Sequence, residues 1–151
     1  MSRRITTNLQ ASRPAAAAAR RRRWRRGNAV LETALVIPVL LYLAFGTVEF
    51  GHFFYVKHNL QAAAREGARA AIVSSGTNTD VNAAVSGTMT AAGLQSSGYT
   101  VTTTPASVST ATTGTSVTVT VGCTWSNVGI RPLRLISASK VVTGTVVMRR
   151  E

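Results

Sequence analysis

Gly27-Asn28-Ala29-Val30-Leu31-Glu32, running on through TALVIPVLLYLAFGTVEFG to Gly51, is the stretch that decides how this chain is built. A run of arginines ends at one glycine, and Glu32, the fifth residue beyond it, is a lone carboxylate entering an apolar segment. A charge at full bilayer depth costs about 2.5–3.5 kcal/mol, less near the interface. A segment serving only as an anchor gains nothing from that charge. The arrangement fits a chain cut after Gly27, so that Glu32 becomes the fifth residue of a new N-terminus. Its carboxylate then meets the free α-amine of Asn28 on an adjacent subunit, where low dielectric strengthens the attraction and sets axial register.

From Thr33 to Val48 no residue is charged. At 1.5 Å per residue those positions span about 24 Å, a little short of a roughly 30 Å hydrocarbon core. Ala29–Leu31 and the aromatic group Phe50, Phe53, Phe54 and Tyr55 complete the crossing, with aromatics at the outer interface. Pro38 lies inside and removes one helix donor. N-terminal to this segment, Arg3, Arg4, Arg13, Arg20–Arg23, Arg25 and Arg26 account for more than half of the 17 basic residues, with no acid among them. The formal charge of +12 therefore describes a leader; the remainder holds eight basic and five acidic residues. Arginines flanking an apolar segment mark a cytoplasmic side. An RNA-binding arm with Trp24 as a stacking residue is the sharper alternative, but nothing later in the chain extends it. A twin-arginine reading of Arg3-Arg4 fails on Thr6 and Thr7. A secretory cut near Ala44-Phe45-Gly46 leaves Glu32 unexplained.

Past the apolar segment, Phe45, Val48, His52, Val56, Leu60, Ala63, Gly67 and Ala71 recur at helical spacing, opposite Lys57, Gln61, Arg65 and Arg69. Glu66 is placed to pair with Arg69 one turn on. One helix of about 48 residues is therefore expected, ending near Ser75. Asp80 is the expected N-cap of a second helix with Val81, Ala84, Val85, Thr88, Met89 and Ala92 on one face and Gly93 as its stop. The period then changes to two: Tyr99, Val101, Thr103; Val117, Val119, Val121, Cys123, Trp125; Val142, Gly144, Val146, Met148. An α+β fold follows, with three or four antiparallel strands laid against the helix. Thr102–Thr115 reads as a surface loop. The organisation is thus a basic, unfolded leader (1–27), a membrane or filament-core helix (28–50) and an extracytoplasmic domain (51–151) whose first helix continues to about 75.

No catalytic set emerges. His52 and His58 face different ways on a helix, Glu49 and His52 alone do not make a metal site, and Cys123 has no histidine in its half of the chain. That cysteine, the only one, reads as a small packed apolar residue. The outer domain, rich in Val, Thr, Ser and Ala, reads as structural, with no enzyme activity, cofactor, metal or nucleic acid expected.

The Gly27-Asn28…Glu32 arrangement resembles a type IV prepilin processing site. Ala44-Phe45-Gly46-Thr47-Val48-Glu49-Phe50-Gly51 and Gln61-Ala62-Ala63-Ala64-Arg65-Glu66-Gly67-Ala68-Arg69 resemble the signature of TadE-like pseudopilins, and Thr143–Glu151 is similar to their final strand. Many members carry an aromatic residue after the glutamate, where this chain has Thr33. The resemblance implies a minor pilin of a tight-adherence (Flp/Tad) system. Gly27 and Asn28 would flank the cut of a prepilin peptidase, Glu32 would serve assembly, and Phe45, Gly46, Glu49, Phe50, Gly51, Arg65, Glu66, Gly67 and Arg69 would form the family signature. Implied partners are that peptidase, other pilin or pseudopilin subunits, the inner-membrane assembly platform and membrane lipid. The implied location is the bacterial inner membrane, N-terminus cytoplasmic, possible pilus association included. The competing reading is an uncleaved single-pass extracytoplasmic binding module.

Overall fold

The computed structural model describes the backbone of residues 13–151 and side chains from Ala29 onward. The chain divides into two units, one reaching Leu43 and one spanning Ala44–Glu151, here called the anchor and the head. Helix α1, Arg13–Ile72, contributes to both and runs through Pro38. The leader was expected to be unfolded; its residues from Arg13 are helical instead. Alanine and arginine are both strong helix formers, and Pro14 falls in the first turn, where proline is tolerated. The first twelve residues lie outside the described chain.

In the anchor, Val30, Leu31, Leu35, Ile37, Leu40 and Leu43 are all exposed. This is the one helix among the described residues long and apolar enough to cross a membrane. Thr33 does not add an unmet polar group, because its hydroxyl donates to the Ala29 carbonyl at 2.8 Å.

The head is α+β. Helix α2 (Asn78–Ala91) is followed by β1 (Thr100–Thr104), β2 (Ser116–Thr124), a one-turn helix α3 (Trp125–Val128) and β3 (Val141–Arg149). The strands form one antiparallel sheet in the order β1-β2-β3, with Val119 opposite Thr103 on one side and Val146 on the other. Val117, Val119, Val121 and Cys123 face inward from β2 and meet Val56, Leu60, Ala63, Ala64, Ala68 and Ala71 of α1 and Val81, Val85 and Met89 of α2 in one core. Fully burying a Val or Leu side chain contributes about 1.5–3 kcal/mol.

Small residues set how closely these layers meet. A Cβ on Gly144 of β3 would lie 2.5 Å from the backbone of Leu60 and Gln61, and one on Gly67 would lie 2.8 Å from Val85. At this crossing Gln61 docks on the strand edge: its amide donates to the Thr145 carbonyl (2.9 Å) and its side-chain oxygen accepts the Thr145 N–H (3.2 Å). At the far end of α1, the buried Arg150 guanidinium donates to the carbonyls of Val108 and Ser74, and the Glu151 N–H donates to the Ile72 carbonyl. A cation there complements carbonyls left over at a helix C-terminus.

Four expectations need correction. Helix α1 ends at Ile72, not near Ser75. Its buried stripe starts at Glu49, while Val48 and Phe45 face outward. Thr77, not Asp80, caps α2; Asp80 is the third residue of a capping box in which each accepts from the other's backbone N–H. The stretch 102–115 is not simply a loop: its start belongs to β1, and a 3₁₀ turn at Val108–Thr110 buries Val108 completely.

Candidate functional site

The first turns of α1 within the head carry the densest polar chemistry. Glu49 is fully buried. Helical spacing forces this: positions 49, 52/53, 56, 60, 63/64 and 67 share one side of a 3.6-residue helix, so Glu49 heads the same stripe as Val56 and Leu60. Its Oε1 accepts the Ile136 N–H at 2.9 Å and its Oε2 accepts the Leu133 N–H at 3.2 Å. Between those two donors Arg134 adopts φ 55°, a left-handed conformation that costs a non-glycine residue about 1 kcal/mol or more. A carboxylate collecting two backbone N–H groups offsets that cost, since hydrogen bonds to charged groups contribute about 1.5–3 kcal/mol each.

One turn on, His52 is half-buried and donates its Nε2–H to the Val128 carbonyl at 2.7 Å. That bond fixes a proton on Nε2. Its ring stacks with Tyr55 and tilts against Trp125, which also meets Phe53 edge-on. The backbone N–H of Trp125 donates to the Lys140 carbonyl and that of Ser126 to the Ala138 carbonyl, so 129–140 is a loop closed at its base and fastened at its tip to Glu49. Leu133 and Leu135 lie within about 4 Å of where a Gly46 side chain would begin.

The remaining signature residues scatter. Phe45 and Phe50 are exposed, and Gly51 faces open space. Gly67 packs on Val81, Val85 and Val119. Arg65, Glu66 and Arg69 face solvent; Arg69 and Glu66 pair as expected at 3.4 Å, an exposed contact of the kind worth about 0–1 kcal/mol. That charged group does not pack between helix and sheet; Gly67 beside it does. Glu49 likewise serves the 129–140 loop and not the sheet.

Thus the motif residues Gly46, Glu49 and Gly67 are each explained by a contact that their side chain, or its absence, makes possible. Residues 27–69 match the TadE-like protein family. No curated protein and no solved structure matches the chain. The TadE-like segment therefore begins at Gly27, covers the apolar helix and ends just past Gly67. It points to a protein associated with Tad pili and anchored by its N-terminal helix.

Gly27 and Asn28 sit in the α1 backbone at the start of the TadE-like segment. Glu32 is exposed on the anchor, and among the described residues it has no bonded partner. Among the described residues no group of three or more His, Cys, Asp or Glu side chains converges. Cys123 is buried in β2, and burial pushes its thiol pKa up, which keeps it in the unreactive neutral form. Sequence reasoning missed the partners of Glu49, His52 and Gln61, all more than 70 residues away.

Proposed function

We propose that this protein is the precursor of a minor pilin: a membrane-anchored pseudopilin cut between Gly27 and Asn28 by a prepilin peptidase and acting structurally in assembly of a tight-adherence pilus. The observation that carries this reading is Glu32. It is a carboxylate exposed on an otherwise apolar helix, five residues beyond the glycine at which the TadE-like match begins. Left alone in lipid it is a penalty; opposite the α-amine of a neighbouring subunit it becomes a paired charge. The head is compatible with the same role, because its buried polar residues Glu49 and Arg150 hold backbone groups of the loops and of the end of the helix. The inner membrane, with the leader cytoplasmic and the head outside, is the location that suits the arginine flank. Other pilin subunits, the assembly platform and lipid are the partners.

Intact mass of the membrane-extracted protein, made with and without the peptidase, tests the reading. Loss of residues 1–27 only with the peptidase is expected. An unchanged mass in both would leave an uncleaved anchored domain and overturn the proposal.

A further inference from the structure

The 129–140 loop has features that holding Glu49 does not require. Ile130 and Leu135 are 51% and 52% exposed, although a loop tied only to its own head has no need to present large apolar groups. Arg131, Arg134 and Lys140 lie in the same segment, which contains no acid. Among the described residues none of the three pairs with a carboxylate. Glu49, the acid bonded to this loop, accepts backbone N–H groups.

The loop's position gives this pattern meaning. Its attachments on α1 are Gly46, Glu49 and His52, the turns at which the uncharged segment Thr33–Val48 gives way to the aromatic group at Phe50 and Phe54. Both phenylalanines are exposed. Aromatic residues on a membrane helix concentrate at headgroup level, and cations beside them meet lipid phosphates.

We infer that the 129–140 loop is a lipid-facing foot, with Ile130 and Leu135 entering the headgroup region of an anionic bilayer and Arg131, Arg134 and Lys140 binding its phosphates. The inference rests on membrane anchoring by the apolar helix and is independent of cleavage at Gly27. Glu49 and His52 act as positioning residues: they hold the foot against the stem at the depth where the helix leaves the membrane.

The test uses the full chain, one copy per lipid nanodisc, with an environment-sensitive dye on Ile130→Cys and, as reference, on Thr110→Cys. Thr110 lies beside Val108, which Arg150 ties to the opposite end of the head's share of α1. Discs contain phosphatidylcholine alone or with on the order of one-third phosphatidylglycerol, plus lipid carrying a shallow quencher. The dye at 130 should be quenched and that at 110 not, more strongly with phosphatidylglycerol. Arg131→Gln and Arg134→Gln should each lower the quenched population about fivefold in the anionic discs. Equal quenching at 130 and 110, or quenching at 130 indifferent to phosphatidylglycerol and to both arginines, overturns the inference. So does quenching that appears only in discs holding two copies, which would mark a contact between subunits. Co-elution of the chain with the discs reports anchoring separately: its failure sinks the membrane reading as well, whereas co-elution with an unquenched 130 sinks the foot alone.

Discussion

Glu32 and Glu49 stand in the same helix and bracket the same uncharged segment, yet the anchor and the head treat them in opposite ways. Glu49 is sealed in the head with two N–H donors supplied by the chain itself. Glu32 lies on the exposed surface of the anchor. A buried carboxylate with its partners in place is a structural element. An exposed carboxylate on an apolar surface carries a desolvation penalty in lipid until a partner meets it. The two units therefore differ in how a carboxylate is met: the head supplies Glu49 with donors from its own chain, and Glu32 has no bonded partner among the described residues.

That contrast can be broken most directly at Glu32. Glu32→Ala should leave membrane insertion and head stability unchanged but, in the proposed assembly, strand the α-amine of Asn28 without its partner at a cost of about 3–5 kcal/mol per subunit contact. Filament yield measured by shearing and immunoblotting should collapse; wild-type yield would mean that Glu32 does not make the subunit contact. Next in size is Gly144→Val, which should unfold the head by about 3 kcal/mol, because its Cβ meets α1 backbone that cannot rotate away. Thermal denaturation of the detergent-solubilised chain reads this, and a small shift would show that helix and sheet are free to separate.

Glu49→Ala should cost the head about 2–4 kcal/mol, leaving two N–H groups without their acceptor, with the loss confined to faster hydrogen exchange at Leu133 and Ile136. Protection unchanged at both amides would deny Glu49 its role. The smallest effect belongs to a third carboxylate. Asp80 is fully exposed, and the Thr77 hydroxyl, then the Thr77 N–H, hold its pKa below the usual value. A depressed folded pKa means that its contribution is present above the unfolded value, near 3.9, and is lost as pH falls through the folded one. Melting of wild type and Asp80→Asn should differ at neutral pH and converge as pH falls through the depressed folded pKa.

Much of this fold was readable because periodicity reports burial directly. The alternation Val117–Cys123, the α2 face at Val81, Val85 and Met89 and the uncharged run Thr33–Val48 all needed only local spacing. Errors arose where hydrophobicity and geometry disagreed. Val48 looked like a better core residue than Glu49, but the helical period ran through Glu49. Asp80 looked like the cap because aspartate is a strong one, although Thr77-Asn78-Thr79-Asp80 already spelled a capping box. Val108 was hidden because one valine in a serine- and threonine-rich stretch has no period. The bonds of Glu49, His52 and Gln61 were beyond reach for a different reason: each joins residues more than 70 apart, and no local pattern records such a meeting. Gly51 remains unexplained by any contact within the head.

Within the head, α1 is gripped near both ends of its buried length. The 129–140 loop holds Glu49 and His52, and the final residues Arg150 and Glu151 hold Ser74 and Ile72. These grips are made by different parts of the chain, with Gln61 fastened to β3 between them. Tension drawn along the helix is then borne in shear by several bonds at once, since no single one can be peeled open ahead of the rest. The head is a clamp that shares load along its stem.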